Sequence, residues 1–260
     1  MMMGFFVLVG LGVMLGAMLA YASLCFAVPE DDPILQSLQK SLPGYNCGVC
    51  GYSGCTAYAE ELATGKKAAL NLCRPGGQET LQKISAILHK KTNTTIAKHT
   101  AFVFCRGGVR SIDAYTYSGI QNCSAATLVQ GGFKKCRWGC LGLGDCVKAC
   151  NFGAITMGED NVPIVNPDRC TDCCACAKAC PKGLIQFVPQ KEVKRVICSN
   201  HDFGKAAKSV CAVACVACGI CVKSCPFQAI VLKEKLAVVD TAKCNNCGIC
   251  TEKCPTKAIV

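Results

Sequence analysis

The sequence has little of what nucleotide-driven or hydrolytic enzymes require. It contains only three histidines, His89, His99 and His201, and they stand far apart along the chain. No P-loop or Rossmann fingerprint occurs, because the short Gly-x-Gly at 142–144 lies inside a cysteine-rich loop and lacks the strand–helix context of a dinucleotide site. We find no nucleophile–base pair. These absences disfavour nucleotide-driven and hydrolytic chemistry.

Charged residues are absent from the first part of the chain. From Gly4 to Val28 no Asp, Glu, Lys, Arg or His occurs. About 24 helical residues would span ~36 Å, which is enough to cross a bilayer. A signal peptide is the alternative, but the run has no basic residues before it and no A-x-A cleavage site. We therefore predict one N-terminal transmembrane helix, residues 1–28, which anchors the protein in membrane lipid and relays no ions.

The distribution of charge also predicts the orientation of this helix. All 28 Lys and Arg residues follow it, which favours a cytoplasmic location for the rest of the chain at the cytoplasmic (inner) membrane. Gly12, Gly16 and Ala20 recur every four residues. This stripe is either a contact for another helix or the ordinary composition of a membrane span, and both interpretations stay open.

Cysteine is the residue that the chain has in excess, with 26 among 260 residues. Most cysteines stand in runs with two or three residues between neighbours, a spacing that rarely allows disulfide geometry. Thiolate ligation of metal is the better interpretation. It requires a reducing compartment, which agrees with the cytoplasmic orientation.

The formal net charge of +11 would by itself suggest a nucleic-acid partner. An oxidised 4Fe-4S core with its four thiolates contributes about −2, so five such sites would bring the protein close to neutrality. We therefore predict no nucleic-acid partner.

The first group of cysteines lies in a glycine-rich segment, where the predicted ligands of one 4Fe-4S cluster are Cys47, Cys50, Cys55 and Cys73. Gly48, Gly51 and Gly54 permit the tight turns that bring thiolates around a small cluster. Zinc is the alternative, but zinc sites usually have two separated C-x2-C pairs. The run resembles the small 4Fe-4S domain of Rnf complex B subunits and of some corrinoid and carbon-monoxide enzymes, through the matching segments 42–44, 46–48, 50–51, 54–55 and 73–77.

The second half of the chain contains a repeat of the form C-x2-C-x2-C-x3-C-P, which is the bacterial ferredoxin pattern. The three copies are Cys170, Cys173, Cys176 and Cys180; Cys215, Cys218, Cys221 and Cys225; and Cys244, Cys247, Cys250 and Cys254. An altered copy precedes them and consists of Cys136, Cys140, Cys146 and Cys150, with Asn151 in place of the proline. Gly142 and Gly144 would suit its longer central gap.

The number of residues between copies is small within two pairs of copies and larger between the pairs, which predicts two dicluster units. In such a unit the fourth cysteine of each run ligates the other cluster of the pair. Unit 1 would hold its clusters with one set of Cys136, Cys140, Cys146 and Cys180, and another of Cys150, Cys170, Cys173 and Cys176. Unit 2 would use Cys215, Cys218, Cys221 and Cys254, and Cys225, Cys244, Cys247 and Cys250. Each unit should contain a hairpin, at 154–165 and 229–239.

Six cysteines remain outside these five sets: Cys25, Cys105, Cys123, Cys174, Cys198 and Cys211. Cys25 belongs to the predicted membrane helix. The others are interpreted as buried reduced thiols. A further or alternative ligand role is left open for Cys198 and Cys211.

The predicted fold class is α+β: one transmembrane helix, a small 4Fe-4S domain and two tandem dicluster ferredoxin domains. The predicted boundaries are 1–28 for the anchor, 29–78 for the small domain, 79–132 for a connector, 133–187 for unit 1, 188–209 for a linker and 210–260 for unit 2. This order resembles the Rnf B subunit over essentially the full length, as do segments 102–105, 117–126 and 140–144. The second dicluster unit and Cys174 depart from shorter family members.

The resemblance implies a function. Rnf complexes oxidise reduced ferredoxin, reduce NAD+ at a flavin subunit, and move Na+ or H+ across the membrane. The B subunit would take up ferredoxin electrons and pass them through five 4Fe-4S clusters to its partners, which include multi-span membrane subunits and flavin/NAD-binding subunits. Lys134, Lys135 and Arg137 are the predicted docking patch for an acidic ferredoxin.

Three alternatives remain. One is the related complex that reduces an iron–sulfur regulator, and another is a polyferredoxin that serves a corrinoid or carbon-monoxide enzyme. The membrane helix disfavours the polyferredoxin, whose partners are usually soluble. The third is a zinc-stapled nucleic-acid-binding scaffold, which the ferredoxin spacing disfavours.

Overall fold

The computed structural model describes residues 2–25, 32–65, 68–92, 94–190 and 193–260, without side chains at 2–9 and 24–25. Its first element is helix α1, Met2–Cys25. Within this described part of the chain, no helix has both the length and the apolarity that a membrane crossing requires. The end of the predicted anchor, residues 26–28, lies outside the described residues.

A small three-helix domain follows, formed by α2 (Pro33–Ser41), α3 (Cys55–Ala63) and α4 (Gly77–Ile87). Helix α2 begins at a proline, and the Asp32 carboxylate caps it by accepting the Ile34 N–H at 2.9 Å. The three helices meet at Leu38, Tyr58 and Ile84, which are all buried.

The first dicluster unit is built on two antiparallel strand pairs. Its elements are β1 (His99–Val103), α5 (Cys123–Leu128), α6 (Asp145–Lys148), β2 (Ile155–Met157), β3 (Pro163–Val165), α7 (Ala175–Ala179) and β4 (Ile185–Pro189). Strand β1 pairs with β4, and β2 forms the predicted hairpin with β3. Because β1 comes from the segment predicted as a connector, that segment is part of the folded unit.

The second dicluster unit repeats this plan with α8 (Gly204–Val210), α9 (Ile220–Ser224), β5 (Ile230–Lys233), β6 (Leu236–Val239) and α10 (Ile249–Glu252). Strands β5 and β6 form the second predicted hairpin. The N–H of Arg195 donates to the Val260 carbonyl at 2.9 Å, and Val260 donates back at 3.0 Å. The unit therefore begins inside the segment predicted as a linker, whose residues 191–192 lie outside the described ones.

The two units contact each other through backbone hydrogen bonds. Ile112 N–H donates to the Val210 carbonyl at 3.0 Å, and Ala212 N–H donates to the Arg110 carbonyl at 3.2 Å. The Ser199 hydroxyl adds a bond to the Phe104 carbonyl at 2.8 Å. Because backbone N–H and C=O groups are strong hydrogen-bonding partners, these bonds hold the two units in one relative orientation.

The small domain packs on unit 1 through residues beside predicted ligands. The Tyr45 ring lies edge-on to Phe152, with 4.6 Å between ring centroids. Arg74 lies 3.6 Å from the carboxylate of Asp172, which is only 7% exposed. His99, for which the sequence indicated no role, approaches the same carboxylate at 3.7 Å.

We expect Gly108→Ala to destabilise unit 1 strongly. Gly108 has φ +47° in a 3-10 turn (Gly108–Arg110), and a Cβ there would collide with the backbone carbonyl oxygen of Asp160 and lie 2.7 Å from Val162 Cγ2. The collision should add about 1–3 kcal/mol to the ordinary cost of a left-handed alanine. Thermal unfolding followed by near-UV circular dichroism measures the change.

Gly183→Ala is the matched control, because Gly183 has φ +62° and open space around it. Its only cost should be the left-handed backbone conformation, which lowers the free energy of unfolding by about 1 kcal/mol. The unfolding midpoint should therefore fall less than in Gly108→Ala. Equal shifts for the two variants would contradict the role assigned to the Asp160 contact.

Candidate metal centres

In the small domain, the four predicted cysteines surround the turn between Asn46 and α3. Gly48 and Gly51 have φ values of +67° and +89°, as the glycine argument requires. The Asn46 side-chain oxygen accepts the Cys55 N–H at 2.8 Å and holds this turn together. Burial, together with the neighbouring thiols of Cys55, Cys47 and Cys50, raises the pKa of Cys73 to about 11.

In unit 2 the structure places the predicted sets around two separate cavities. One cavity, of about 350 Å³, is lined by Cys215, Cys218, Cys221 and Cys254. The other, of about 310 Å³, is lined by Cys225, Cys244, Cys247 and Cys250. The fourth cysteine of each run thus faces the other run, as in a two-cluster ferredoxin.

In unit 1 the structure brings Cys170, Cys173 and Cys176 of one predicted set close together. Burial and the neighbouring thiols of Cys173 and Cys170 raise the pKa of Cys176 to about 12. Cys150, the predicted fourth member, packs against the buried cluster that contains Cys170 and Cys176, and so does Cys180.

The structure does not bring all four cysteines of the other predicted set of unit 1 together. Cys140, Cys146 and Cys180 line a cavity of about 420 Å³, but its fourth cysteine is Cys123, and Cys136 is not among its lining residues. A turn closed by Gly139 N–H on the Cys136 carbonyl separates Cys136 from Cys140. Cys136 consequently lies against a different cavity.

Asp145 positions Cys123 beside this cavity. Its carboxylate accepts the N–H groups of Cys123 and Ser124, at 2.9 and 3.0 Å, and the Ser124 hydroxyl at 3.0 Å. Burial alone would raise the pKa of Asp145, but these hydrogen bonds lower it overall. The ionised carboxylate therefore fixes the start of α5 against the start of α6.

Comparison of the two units shows a signal that the sequence prediction did not use. Cys140, Cys146 and Cys150 have the same spacing as Cys215, Cys221 and Cys225 in unit 2. Gly144 and Gly219 precede the matching helices α6 and α9 with φ values of +79° and +73°. The altered copy therefore aligns as C-x2-L-x2-C-x3-C, with Leu143 where unit 2 has Cys218, and Cys123 lines the cavity beside the other three cysteines.

Apart from Cys123, the five cysteines outside the predicted sets divide into three groups. Cys105, Cys198 and Cys211 line one further cavity together with Cys136. Cys174 lies 3.7 Å from the Arg74 guanidinium, in the contact between the small domain and unit 1. The side chain of Cys25 lies outside the described residues.

The chemistry of the sites fits iron–sulfur clusters. The fourth cysteine of each run accepts the backbone N–H four residues later: Cys150 from Ala154 at 3.3 Å, Cys180 from Leu184 at 3.5 Å, Cys225 from Ala229 at 3.4 Å and Cys254 from Ala258 at 3.3 Å. Such donors stabilise thiolates and the sulfur atoms of a cluster. The 25 cysteines with described side chains are all free.

Cys140 and Cys146 have raised pKa values in the protein without iron. Burial raises the pKa of Cys140 to about 12 and that of Cys146 to about 11. Iron must therefore displace protons when it binds. In the described part of the chain, no three or more His, Cys, Asp or Glu side chains are arranged to hold a single metal ion. The cysteines surround cavities instead.

The fold and the sites together define an iron–sulfur protein for electron transfer. A family model for an Fe-S cluster domain matches residues 42–75, and models described as 4Fe-4S dicluster domain match residues 135–195 and 214–259. These matches cover the small domain and both dicluster units.

Whole-chain comparison places the protein in one family. The B subunit of the ion-translocating oxidoreductase complex of Methanosarcina acetivorans is 44% identical over 91% of this chain and 89% of its own length. The B subunits of the complexes named Na(+)-translocating and proton-translocating ferredoxin:NAD(+) oxidoreductase, from Acetobacterium woodii and Clostridium ljungdahlii, are each 39% identical. They cover 89% and 88% of this chain, and 69% and 81% of their own lengths. The chain belongs to this family of B subunits of ion-translocating oxidoreductase complexes, which confirms the resemblance found in its motifs.

We expect Cys123→Ser to remove one cluster from unit 1, because Cys123 completes the four-cysteine set of that cavity. Iron and acid-labile sulfide in the anaerobically purified protein should each fall by up to about four per chain. Cys174→Ser is the matched control, since Cys174 lines none of these cavities, and it should leave both numbers unchanged. If Cys123→Ser keeps the iron content of the unaltered protein, Cys123 is not a required ligand, and the predicted set with Cys136 stands.

Proposed function

We propose that this chain accepts electrons from reduced ferredoxin and relays them through five 4Fe-4S clusters to partner subunits of an ion-translocating ferredoxin:NAD+ oxidoreductase (Rnf) complex. The names of the Acetobacterium and Clostridium relatives support the donor, the acceptor and the complex. The five proposed clusters are those of the small domain and of the two dicluster units, with Cys123 in the place of Cys136. Other Rnf subunits, including multi-span membrane subunits and flavin/NAD-binding subunits, are the proposed acceptors.

The observation that carries this proposal is the row of four-cysteine sites along the chain. Arg74, next to Cys73, contacts Asp172, which lies between Cys170 and Cys173. Cys146 of one site in unit 1 lies close enough to Cys176 of the other to raise its pKa. Neighbouring sites therefore approach through their own ligand loops. Each bound cluster would take up and release one electron at a time, at a potential set by burial and hydrogen bonds.

Unit 2 is the proposed site of electron uptake. Cys218 and Cys247 are its two exposed ligands, whereas Cys170 and Cys176 of unit 1 are buried. A soluble donor can approach a cluster closely only where a ligand reaches the surface. Lys223, which follows Cys221, and Lys243, which precedes Cys244, are exposed and would attract an acidic ferredoxin.

The docking patch expected from the sequence is less suitable. The Lys134 ammonium is only 10% exposed and forms an ion pair with Asp113 at 2.7 Å. It also donates to the carbonyls of Gly108 and Ser111. Lys134 therefore stabilises unit 1 and is not available to a partner, although Lys135 and Arg137 remain exposed.

We further propose that residues 1–28 anchor the protein in the cytoplasmic membrane, with the cysteine-rich units on the cytoplasmic side. The uncharged run from Gly4 to Val28 supports this anchor. So do the apolar side chains that α1 leaves exposed, such as Met14 at 72% and Met18 at 71%, because water disfavours a continuous apolar surface. The absence of charge in the run favours a partner subunit as the path of the ion.

Removal of residues 2–28 should move the protein from the membrane fraction to the soluble fraction. The apolar helix would be lost, while every cysteine of the five sites would remain. Membrane flotation of cells that lack the partner subunits measures the change, and visible absorption confirms that the clusters persist. A truncated protein that still floats with the membrane would contradict the anchor.

Reduction by ferredoxin tests the relay directly. The full-length protein in detergent should be reduced by reduced ferredoxin in anaerobic rapid mixing, seen as loss of visible absorption. Lys223→Glu/Lys243→Glu should slow this reaction about tenfold at low salt, and the difference should vanish at high salt. Reduction by dithionite but not by ferredoxin would reject the donor and leave the clusters in place.

Two further double variants complete the experiment. Lys90→Glu/Lys91→Glu alters the charge near the small domain and should not change the rate. Lys135→Glu/Arg137→Glu tests the patch expected from the sequence. If it slows the reaction and the unit 2 variant does not, electron uptake occurs at unit 1. A redox titration of each variant shows whether its potentials have shifted.

A further inference from the structure

We propose that Cys105, Cys136, Cys198 and Cys211 hold a sixth 4Fe-4S cluster between the two dicluster units. This cluster is additional to the five of the proposed function. Only its role in electron relay rests on that function. Each unit contributes two of the four cysteines. The site was not visible as a motif because its ligands are spread over 107 positions of the chain, counted inclusively from 105 to 211.

The cavity between these cysteines has the size of the other cluster sites. Its volume is about 320 Å³, compared with about 310 and 350 Å³ for the two cavities of unit 2. All four cysteines are buried, with exposures of 6 to 9%. We will call it the interunit cavity.

Two glycines let the backbone approach the sulfur atoms of the interunit cavity. A Cβ on Gly107 would lie 3.4 Å from Cys211 Sγ and 3.5 Å from Cys105 Sγ, so sulfurs from both units face the same point. A Cβ on Gly139 would lie 3.5 Å from Cys136 Sγ. Close approach of glycine to ligand sulfurs is what a cluster site needs.

Two of the four sulfurs, one from each unit, accept the backbone N–H two residues later in the chain. Gly107 donates to Cys105 and Asn200 donates to Cys198, both at 3.4 Å. The N–H groups of Trp138 and Val213 stand at the same sequence offset from Cys136 and Cys211. A neutral thiol is a weak acceptor, whereas a metal-bound thiolate is a strong one. The matching hydrogen bonds to Cys105 and Cys198 on the two sides of one cavity therefore indicate ligands.

An unsatisfied polar group points to the same conclusion. Asn200 lines the interunit cavity and is 1% exposed, and its Nδ2 has no hydrogen-bond partner among the described residues. Its Oδ1 is occupied, because it accepts the Asp202 N–H at 2.8 Å. A buried amide without a partner is costly. Cluster sulfur would give this N–H2 group its acceptor.

The internal repeat explains why the site has two halves. Cys105 follows strand β1, and Cys198 follows the corresponding edge segment of unit 2. Cys136 precedes Cys140 by four residues, as Cys211 precedes Cys215. Each unit therefore carries an extra pair of ligands at the same place in its fold, and the two pairs face each other across the interface.

The position of the interunit cavity makes it a connection between the units. Cys105 also accepts the N–H of Cys140 at 3.4 Å, and Cys198 accepts the N–H of Cys215 at 3.3 Å. Cys140 and Cys215 are ligands of the neighbouring sites in units 1 and 2. One electron from a reduced cluster in unit 2 would reduce the sixth cluster, which would then reduce the cluster on the Cys140 side, and no bond would form or break.

Iron counting tests this proposal on the full-length protein, purified without air in detergent. Six clusters correspond to about 24 iron and 24 sulfide per chain, and five correspond to about 20 of each. We expect 24 in the unaltered protein, and about 20 in Cys105→Ala, in Cys198→Ala and in the double variant. The double variant loses no more than either single one, because all its missing ligands belong to one cluster. The control Cys174→Ala should keep 24.

About 20 iron in the unaltered protein, with no loss in the two single variants, would overturn the proposal. So would one zinc per chain that disappears with them. If the variants lose more than one cluster through misfolding, native mass spectrometry of the unaltered protein still distinguishes six clusters from five. A protein that holds 24 iron but is not reduced by ferredoxin would refute the proposed donor and leave the sixth cluster standing.

Asn200→Leu provides a readout that a purely structural role would not change. The iron content should stay at that of the unaltered protein, while the potential of one cluster falls, because a donor to cluster sulfur favours the more negative reduced state. A redox titration followed by electron paramagnetic resonance measures this shift. Unchanged potentials for all clusters would contradict the contact between Asn200 and a cluster.

Discussion

The bond between cysteine sulfur and iron is the interaction on which the rest of this structure depends, because neither dicluster unit has enough apolar surface to fold around anything else. Their buried cores consist of ligand cysteines with a few small or branched residues such as Ala154, Ile155, Ala229 and Ile230. Among the described residues, three two-stranded sheets and helices of one or two turns surround them. Such elements are marginal alone, so metal binding supplies much of the folding free energy.

Much of the fold follows from the sequence because cluster ligands impose strict local spacing. The three regular runs, the two hairpins and the glycine turns of the small domain all lie within short segments, where ligand distance and backbone conformation constrain each other. The structure therefore places Cys215 and Cys254 around one cavity, and Cys225 and Cys244 around another, as the spacing predicts. The membrane anchor has no comparable local constraint and stays a prediction.

What the sequence interpretation missed depends on contacts between distant segments. Leu143 stands where unit 2 has a cysteine, and Cys123, which lines the same cavity as Cys140 and Cys146, is 20 residues earlier in the chain. Strand β1 and the segment 195–197, which pairs with the C-terminus through the bridge from Val196 to Ile259, lie in the predicted connector and linker, because such short edge segments carry little pattern of their own. Cys105 and Cys198 follow those segments. Their common role becomes visible only when the two units are aligned on each other.

A site made of two half-sites also constrains how the protein matures. During translation, unit 1 can acquire its own clusters as soon as its last ligand, Cys180, has left the ribosome. The interunit cavity cannot close until Cys211 has emerged and unit 2 has packed against unit 1. Its cluster would therefore be inserted only after the two units have packed together, and a chain with a misfolded second half would lack it.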